Sequence, residues 1–177
     1  MARPQLNPWR ETVRFSELAR GPVERHIRPD GPQQLAALSK QLGLDALESL
    51  VADVTVSPWL DGAELRGRFT AEVVQTCGVT LEPLEQTLSS DFDLRLLPAG
   101  SPNLPAEDAV VDPEADDPPD AIEGDEIDIA RYVVEHLALE IDPFPRKPGA
   151  VFEPPMPEEE ASPFAVLKRL QRDEPPE

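Results

Sequence analysis

Apolar and polar positions alternate through most of the first hundred residues, and this period of two is the main structural signal in the chain. Trp9, Val13 and Phe15 alternate with Arg10, Thr12 and Arg14, which predicts a half-buried strand. Val23 and Ile27 alternate with Glu24, His26 and Arg28 and predict a second, shorter strand. The period then changes. Pro32 suits a first helical position, and Leu35, Leu38 and Leu42 follow at helical spacing up to Gly43, so one short amphipathic helix is expected. Leu50, Ala52, Val54 and Val56 share a face of the next run. After the turn signal Asp61-Gly62, Ala63, Leu65, Gly67, Phe69, Ala71 and Val73 do the same, which predicts a hairpin. A third run sets Leu88, Phe92, Leu94 and Leu96 against Thr87, Ser89, Asp91, Asp93 and Arg95.

The three runs read as an antiparallel meander with one covered face and one wet face, because a sheet buried on both sides would show continuous apolar segments. Helices must cover the apolar face. The best candidate spans 128–141, where Ile129, Val133, Leu137 and Ile141 form a stripe and Asp125 and Asp128 suit the N-terminal end. The expected fold class is α+β: an antiparallel β-meander with one wet face, covered by a few helices, plus long acidic, proline-rich loops.

Composition adds the loops. With 177 residues and 40% hydrophobic content the chain fits one core and some unstructured length. The 22 prolines cannot all sit inside helices and strands, since each lacks the N–H that a ladder needs. From Pro98 to Asp125 there is no Lys or Arg, while Glu107, Asp108, Asp112, Glu114, Asp116, Asp117, Asp120, Glu123 and Asp125 accumulate among prolines. The segment 98–125 is therefore expected to be a disordered insert within a domain spanning 1–150. A second acidic, proline-rich stretch opens the segment 151–177 and tethers a short C-terminal helix. In that helix Ser162 is a competent N-cap, Pro163 suits the first turn, and Phe164, Leu167 and Leu170 lie along one side. That side must dock on the sheet or on a partner, because a helix of about ten residues is marginal alone.

Charge narrows the function. Lys and Arg number 16 against 35 Asp and Glu, a formal charge of -19, which disfavours a generic electrostatic nucleic-acid binder. Any RNA contact must be local. The stretch up to Arg28 is locally basic, and Arg10, Arg14, His26, Arg28, Arg66, Arg68 and Arg95 all fall on polar phases of alternating runs. Strand pairing is expected to gather several of them into a basic stripe on the wet face. A second candidate is the loop 142–150, where Pro143, Pro145 and Pro148 restrict the backbone and would present Arg146 and Lys147 at low entropic cost.

Catalytic templates are missing. There is no Walker lysine loop, dinucleotide-type glycine turn, Gly-x-Ser-x-Gly elbow or His-Glu-x-x-His pair. His26 and His136, the two imidazoles, each sit in an element whose periodicity explains them, so no catalytic residue and no cofactor are expected. Cys77 lies in the connection between the second and third meander strands, and the residue three on is Thr80. One cysteine and two distant histidines cannot complete a tetrahedral zinc site or a disulfide, so Cys77 reads as a buried small hydrophobe with no cation nearby to activate it. No apolar run approaches the roughly 20 residues of a membrane span, and the opening residues lack a secretion-type apolar region, so a cytoplasmic protein is expected.

The stretch Cys77-Gly-Val-Thr-Leu-Glu-Pro, the alternating strand after it, the acidic insert, Asp125-Glu-Ile-Asp-Ile and the segment 137–150 together resemble the YceD family of bacterial proteins. The ending Ser162-Pro-Phe-Ala-Val-Leu resembles the Asn-Pro-Phe-Ala-x-Leu tail of many members, and the Pro-Arg-Lys-Pro-Gly loop resembles the alphaproteobacterial branch. The similarity covers roughly Val73 to Leu170. It implies a non-enzymatic role in the accumulation of large-subunit ribosomal RNA, meaning its synthesis, processing or stability. The implied partner is ribosomal RNA or a large-subunit ribosomal protein. Many members carry Cys-x-x-Cys where this chain has Cys77-Gly78-Val79-Thr80, so the resemblance brings no metal with it. The acidic balance also fits a different reading, a protein-interaction or chaperone-like module that holds a basic partner. An uncharacterised hydrolase fits least, because no nucleophile and base are paired.

Overall fold

The computed structural model describes residues 8–105 and 117–152. In chain order these form β1 (Thr12–Arg14), α1 (Phe15–Leu18), β2 (Val23–Ile27), α2 (Pro32–Leu42), β3 (Ala46–Trp59), β4 (Gly62–Thr76), β5 (Pro83–Pro98), β6 (Asp120–Ile122), β7 (Glu126–Asp128) and α3 (Ile129–Glu140). The architecture is α+β. One sheet of five strands runs in the order β2-β3-β4-β5-β6, and β1 pairs with β7 in a separate two-stranded ribbon.

The meander is as the alternation requires. β3 pairs with β4 from Trp59↔Gly62 back to Ala46↔Val74, with one register shift between Leu47 and Ser49, and β4 pairs with β5 without interruption from Ala63↔Leu96 to Thr76↔Pro83. Leu50, Ala52, Val54 and Val56 of β3 and Ala63, Leu65, Phe69, Ala71 and Val73 of β4 are all buried. The hairpin loop falls one residue earlier than the Asp61-Gly62 signal suggests. Leu60 takes the positive φ of +52, while Gly62 is already the first paired residue of β4. Glycine is required there because a Cβ would overlap the main-chain carbonyl of Leu96 on β5. At Gly67 the missing side chain is replaced by the ring of Phe92, its cross-strand partner. His136 of α3 then stacks on Phe92 at 4.5 Å and 23°.

Two helices close the apolar side. α2 starts at Pro32 and ends where Gly43 turns left-handed at φ +70, and the Ser39 hydroxyl donates to the Leu44 carbonyl at 2.9 Å. The Asp128 carboxylate caps α3 by accepting the Arg131 N–H at 3.4 Å. Besides Ile129, Val133 and Leu137, the helix buries Ala130, Tyr132 and Val134, more than the expected stripe, because it packs on β4 and β5 and also on β1. Ile141 stands at the helix end and is half-buried.

Three sequence expectations change. The first strand is only Thr12–Arg14: Phe15 begins α1, because the Glu17 carboxylate accepts the Arg14 N–H at 3.0 Å and turns the chain. Trp9 precedes the strand but is 1% exposed within the main core. The segment 98–125 is not uniformly unstructured. Ala121 and Ile122 pair parallel with Leu97 and Pro98 as β6, and the Ala99 N–H closes onto the Ile122 carbonyl at 2.8 Å. Ser101 Oγ and Asn103 Nδ2 both donate to Asp61, at 3.0 and 2.8 Å, tying the start of that segment to the β3–β4 loop and holding the Asp61 carboxyl below its usual range. Asp128, expected as the first residue of the helix, instead ends β7 (Glu126–Asp128) and caps α3, and Ile127 is fully buried opposite Val13. The C-terminal helix with Phe164, Leu167 and Leu170 lies outside the described residues.

Candidate functional site: the polar face of the sheet

The face opposite the helices is built from rows of side chains that strand register sets side by side. One row runs His26, Asp53, Arg68, Asp91 across β2 to β5, and the next runs Glu24, Thr55, Arg66, Asp93. A third holds Ser57, Glu64 and Arg95. Asp53, Thr55, Arg66, Arg68, Asp91 and Asp93 line a shallow depression of about 690 Å³.

The sequence places Arg66, Arg68, Arg95 and His26 on this face correctly, but they do not make a basic stripe. Each meets an acid. His26 Nδ1 lies 2.7 Å from Asp53, and the Arg68 fork grips Asp91 with its second contact at 2.8 Å. Arg66 reaches Glu64 at 3.0 Å, and Arg95 lies 4.0 Å from the same carboxylate with its guanidinium 5.3 Å over the Trp59 ring. The hydrogen bond from Arg68 holds the Asp91 carboxyl below its ordinary value. These pairs are exposed, so each adds little stability, but together they leave carboxylates in excess: Glu24, Asp53, Glu64, Glu72, Glu85, Asp91 and Asp93 share the face with three guanidiniums.

Arg10 and Arg14 are elsewhere. Both clamp Glu126 across the β1–β7 ribbon, at 2.9 and 3.0 Å. Arg28 is exposed one residue beyond β2. Sequence reasoning missed Glu126 as their anchor because its pairing with Arg14 spans 112 residues and nothing local signals it.

The loop 142–150 is ordered, but its prolines are not the only anchors. Gln75 Nε2 donates to the Asp142 carbonyl at 2.9 Å, and the Gly78 N–H donates to the Pro145 carbonyl at 2.9 Å. Lys147 is tied twice, its N–H to Cys77 Sγ at 3.3 Å and its ammonium to Glu82 at 2.9 Å, so Arg146 is the cation this loop presents to solvent.

Cys77 is fully buried, as expected, yet its surroundings are not those of a hydrophobe. Hydrogen bonds from the Thr80 side chain and from the backbone N–H groups of Lys147, Thr80 and Val79 pull the thiol down to about 6. One of these donors comes from a loop 70 residues away, which is why no activating neighbour was visible in the sequence. Thr80, where a second cysteine would stand, gives its N–H to the sulfur at 3.5 Å. Among the described residues no group of three or more His, Cys, Asp and Glu could hold a metal ion.

The folded thiol ionises near 6 against about 9 ordinarily, so the thiolate's contribution is full above pH 9 and is lost as pH falls through 6. The melting-temperature gap between the wild type and Cys77→Val should therefore widen from pH 6 to pH 9. A gap that stays constant would contradict a buried thiolate.

The family model described as large ribosomal RNA subunit accumulation protein YceD matches residues 65–171, more than half of the chain. The chain belongs to the YceD family. The match begins in β4 and takes in the rest of the meander, the Cys77 turn, α3 and the 142–150 loop, and it extends further toward the N-terminus than the resembling motifs do. The family's description assigns a role in the accumulation of large-subunit ribosomal RNA. No curated protein and no solved structure matches the chain. No helix among the described residues is long and apolar enough to cross a membrane.

Proposed function

We propose that this protein supports large-subunit ribosomal RNA accumulation without catalysing a reaction, by binding a basic ribosomal protein through the polar face of its sheet. The observation that carries this reading is the interleaving of Arg66, Arg68 and Arg95 with Glu64, Asp91 and Asp93. Phosphate binding needs guanidiniums free to fork onto oxygen, and here the Arg68 fork already holds Asp91 while Arg66 and Arg95 both lie against Glu64. A cationic partner instead meets surplus carboxylates on a flat, solvated surface, which gives steering and register.

Affinity capture on the purified protein, with and without RNase treatment of the lysate, tests the choice. Basic ribosomal proteins should remain on the column after RNase and leave as salt is raised. Loss of all ribosomal material with RNase would show that RNA is the direct ligand.

A further inference from the structure

Among the described residues, β5 is paired on one side only for most of its length. β5 runs from Pro83 to Pro98, and β6 occupies its outer edge only at Leu96, Leu97 and Pro98. From Pro83 to Arg95 no strand among the described residues pairs with that edge. A row of main-chain N–H and C=O groups thus has no strand partner among the described residues, the arrangement that accepts an added strand. The edge is regular, because the β4–β5 register is unbroken, and the prolines of the strand, Pro83 and Pro98, stand at its two ends. β6 itself shows that this edge accepts a strand from elsewhere in the chain.

Side chains along the edge specify what can pair there. On the polar face β5 carries Glu85, Thr87, Ser89, Asp91 and Asp93, and one cation, Arg95, beside the stretch that β6 covers. On the other face Leu84, Gln86, Leu88 and Ser90 are only half-buried, so the covering layer stops short of the edge. Where β6 begins, a cleft of about 720 Å³ opens beside the strand, lined by Asp93, Asp117, Asp120 and Glu135 together with Arg95, Tyr132 and His136. Burial, with the Asp120 carboxylate beside it, pushes the Tyr132 phenol up to about 12. Two copies of this edge would set carboxylate against carboxylate, which opposes self-pairing.

We propose that the open edge of β5 takes up an extended, basic segment of a partner protein as an additional strand, with Lys or Arg side chains on its polar face meeting Glu85 and Asp93 and one entering the cleft lined by Asp117 and Asp120. This rests on the basic-protein reading above and names how that partner is held. Backbone pairing supplies the affinity, and the spacing of the acids supplies the selection.

The probe is a twelve-residue peptide alternating Lys and Thr, compared with the same peptide methylated on every backbone amide, which keeps its charge and removes its donors. The full chain should bind the unmethylated peptide at least tenfold more tightly, and amide exchange should slow along 84–94 with no change in Val23–Ile27 at the other edge of the sheet. Glu85→Lys and Asp93→Lys should each reduce binding several-fold, and both lie exposed on the solvated face, where folding tolerates them. Equal affinity for the two peptides, or protection confined to β2, overturns strand addition while leaving a basic partner on the polar face intact. Protection of 84–94 that grows with protein concentration without peptide would overturn it in favour of a second copy. Retention of basic proteins after RNase tests the underlying reading separately.

Discussion

Trp9→Ala is expected to destabilise the protein by about 3–5 kcal/mol, the range for emptying a buried aromatic site. Trp9 precedes the first strand, and a residue in that position would ordinarily be dispensable. Here its side chain is 1% exposed and belongs to the same core as Val13, Leu18, Ile127 and Leu137. The N-terminal ribbon holds it there: the Ile129 N–H donates to the Glu11 carbonyl at 2.8 Å, and the Phe15 N–H to the Asp125 carbonyl at 3.0 Å. Removing the indole empties a site in the core that the β1–β7 ribbon closes, so the urea midpoint should fall with little change in slope. A loss below about 1 kcal/mol would mean the segment only rests on the surface.

Gly62→Ala is expected to cost about 3 kcal/mol, at the upper end for forced overlap. The new methyl would point into the Leu96 carbonyl, and Leu96 cannot retreat, because it is fully buried and paired with Ala63 on one side and Asp120 on the other. Gly100→Ala provides the comparison. Gly100 has φ +90, and no atom lies within 4 Å of the point where a methyl would stand, so only backbone strain is added, about 1 kcal/mol. Equal effects at the two glycines, read from denaturant midpoints, would show that conformation and not close approach selects Gly62.

Period-two alternation made the meander legible because each strand buries one face, and α2 was legible from Pro32 and Gly43 at its ends. β6 and β7 were not. Each is three residues long, too short for alternation to register, and each is held by a partner far away in sequence. The polar face was legible in part. Parity alone put Arg66, Arg68 and Arg95 on it, but their chemistry depends on which residue lies opposite, and that is set by register. One row, Arg68 against Asp91, is enough to turn a candidate phosphate contact into an internal ion pair. Arg10 and Arg14 were misplaced for a related reason: a polar phase says which side of a strand a residue is on, and not which sheet the strand joins. The Cys77 turn shows the same limit, since one of the groups that set its thiol comes from the 142–150 loop.

The most direct test of a basic partner on the polar face uses cells lacking this protein, resupplied with variants of it. Large-subunit ribosomal RNA is then measured relative to small-subunit RNA. Double replacement Glu85→Lys with Asp93→Lys should fail to restore the large-subunit RNA, while Arg66→Glu with Arg68→Glu should restore it, because the free carboxylates and not the guanidiniums meet the partner. The opposite pattern, with the arginine variant failing and the carboxylate variant succeeding at equal protein levels, would contradict the account and make the face a phosphate-binding surface.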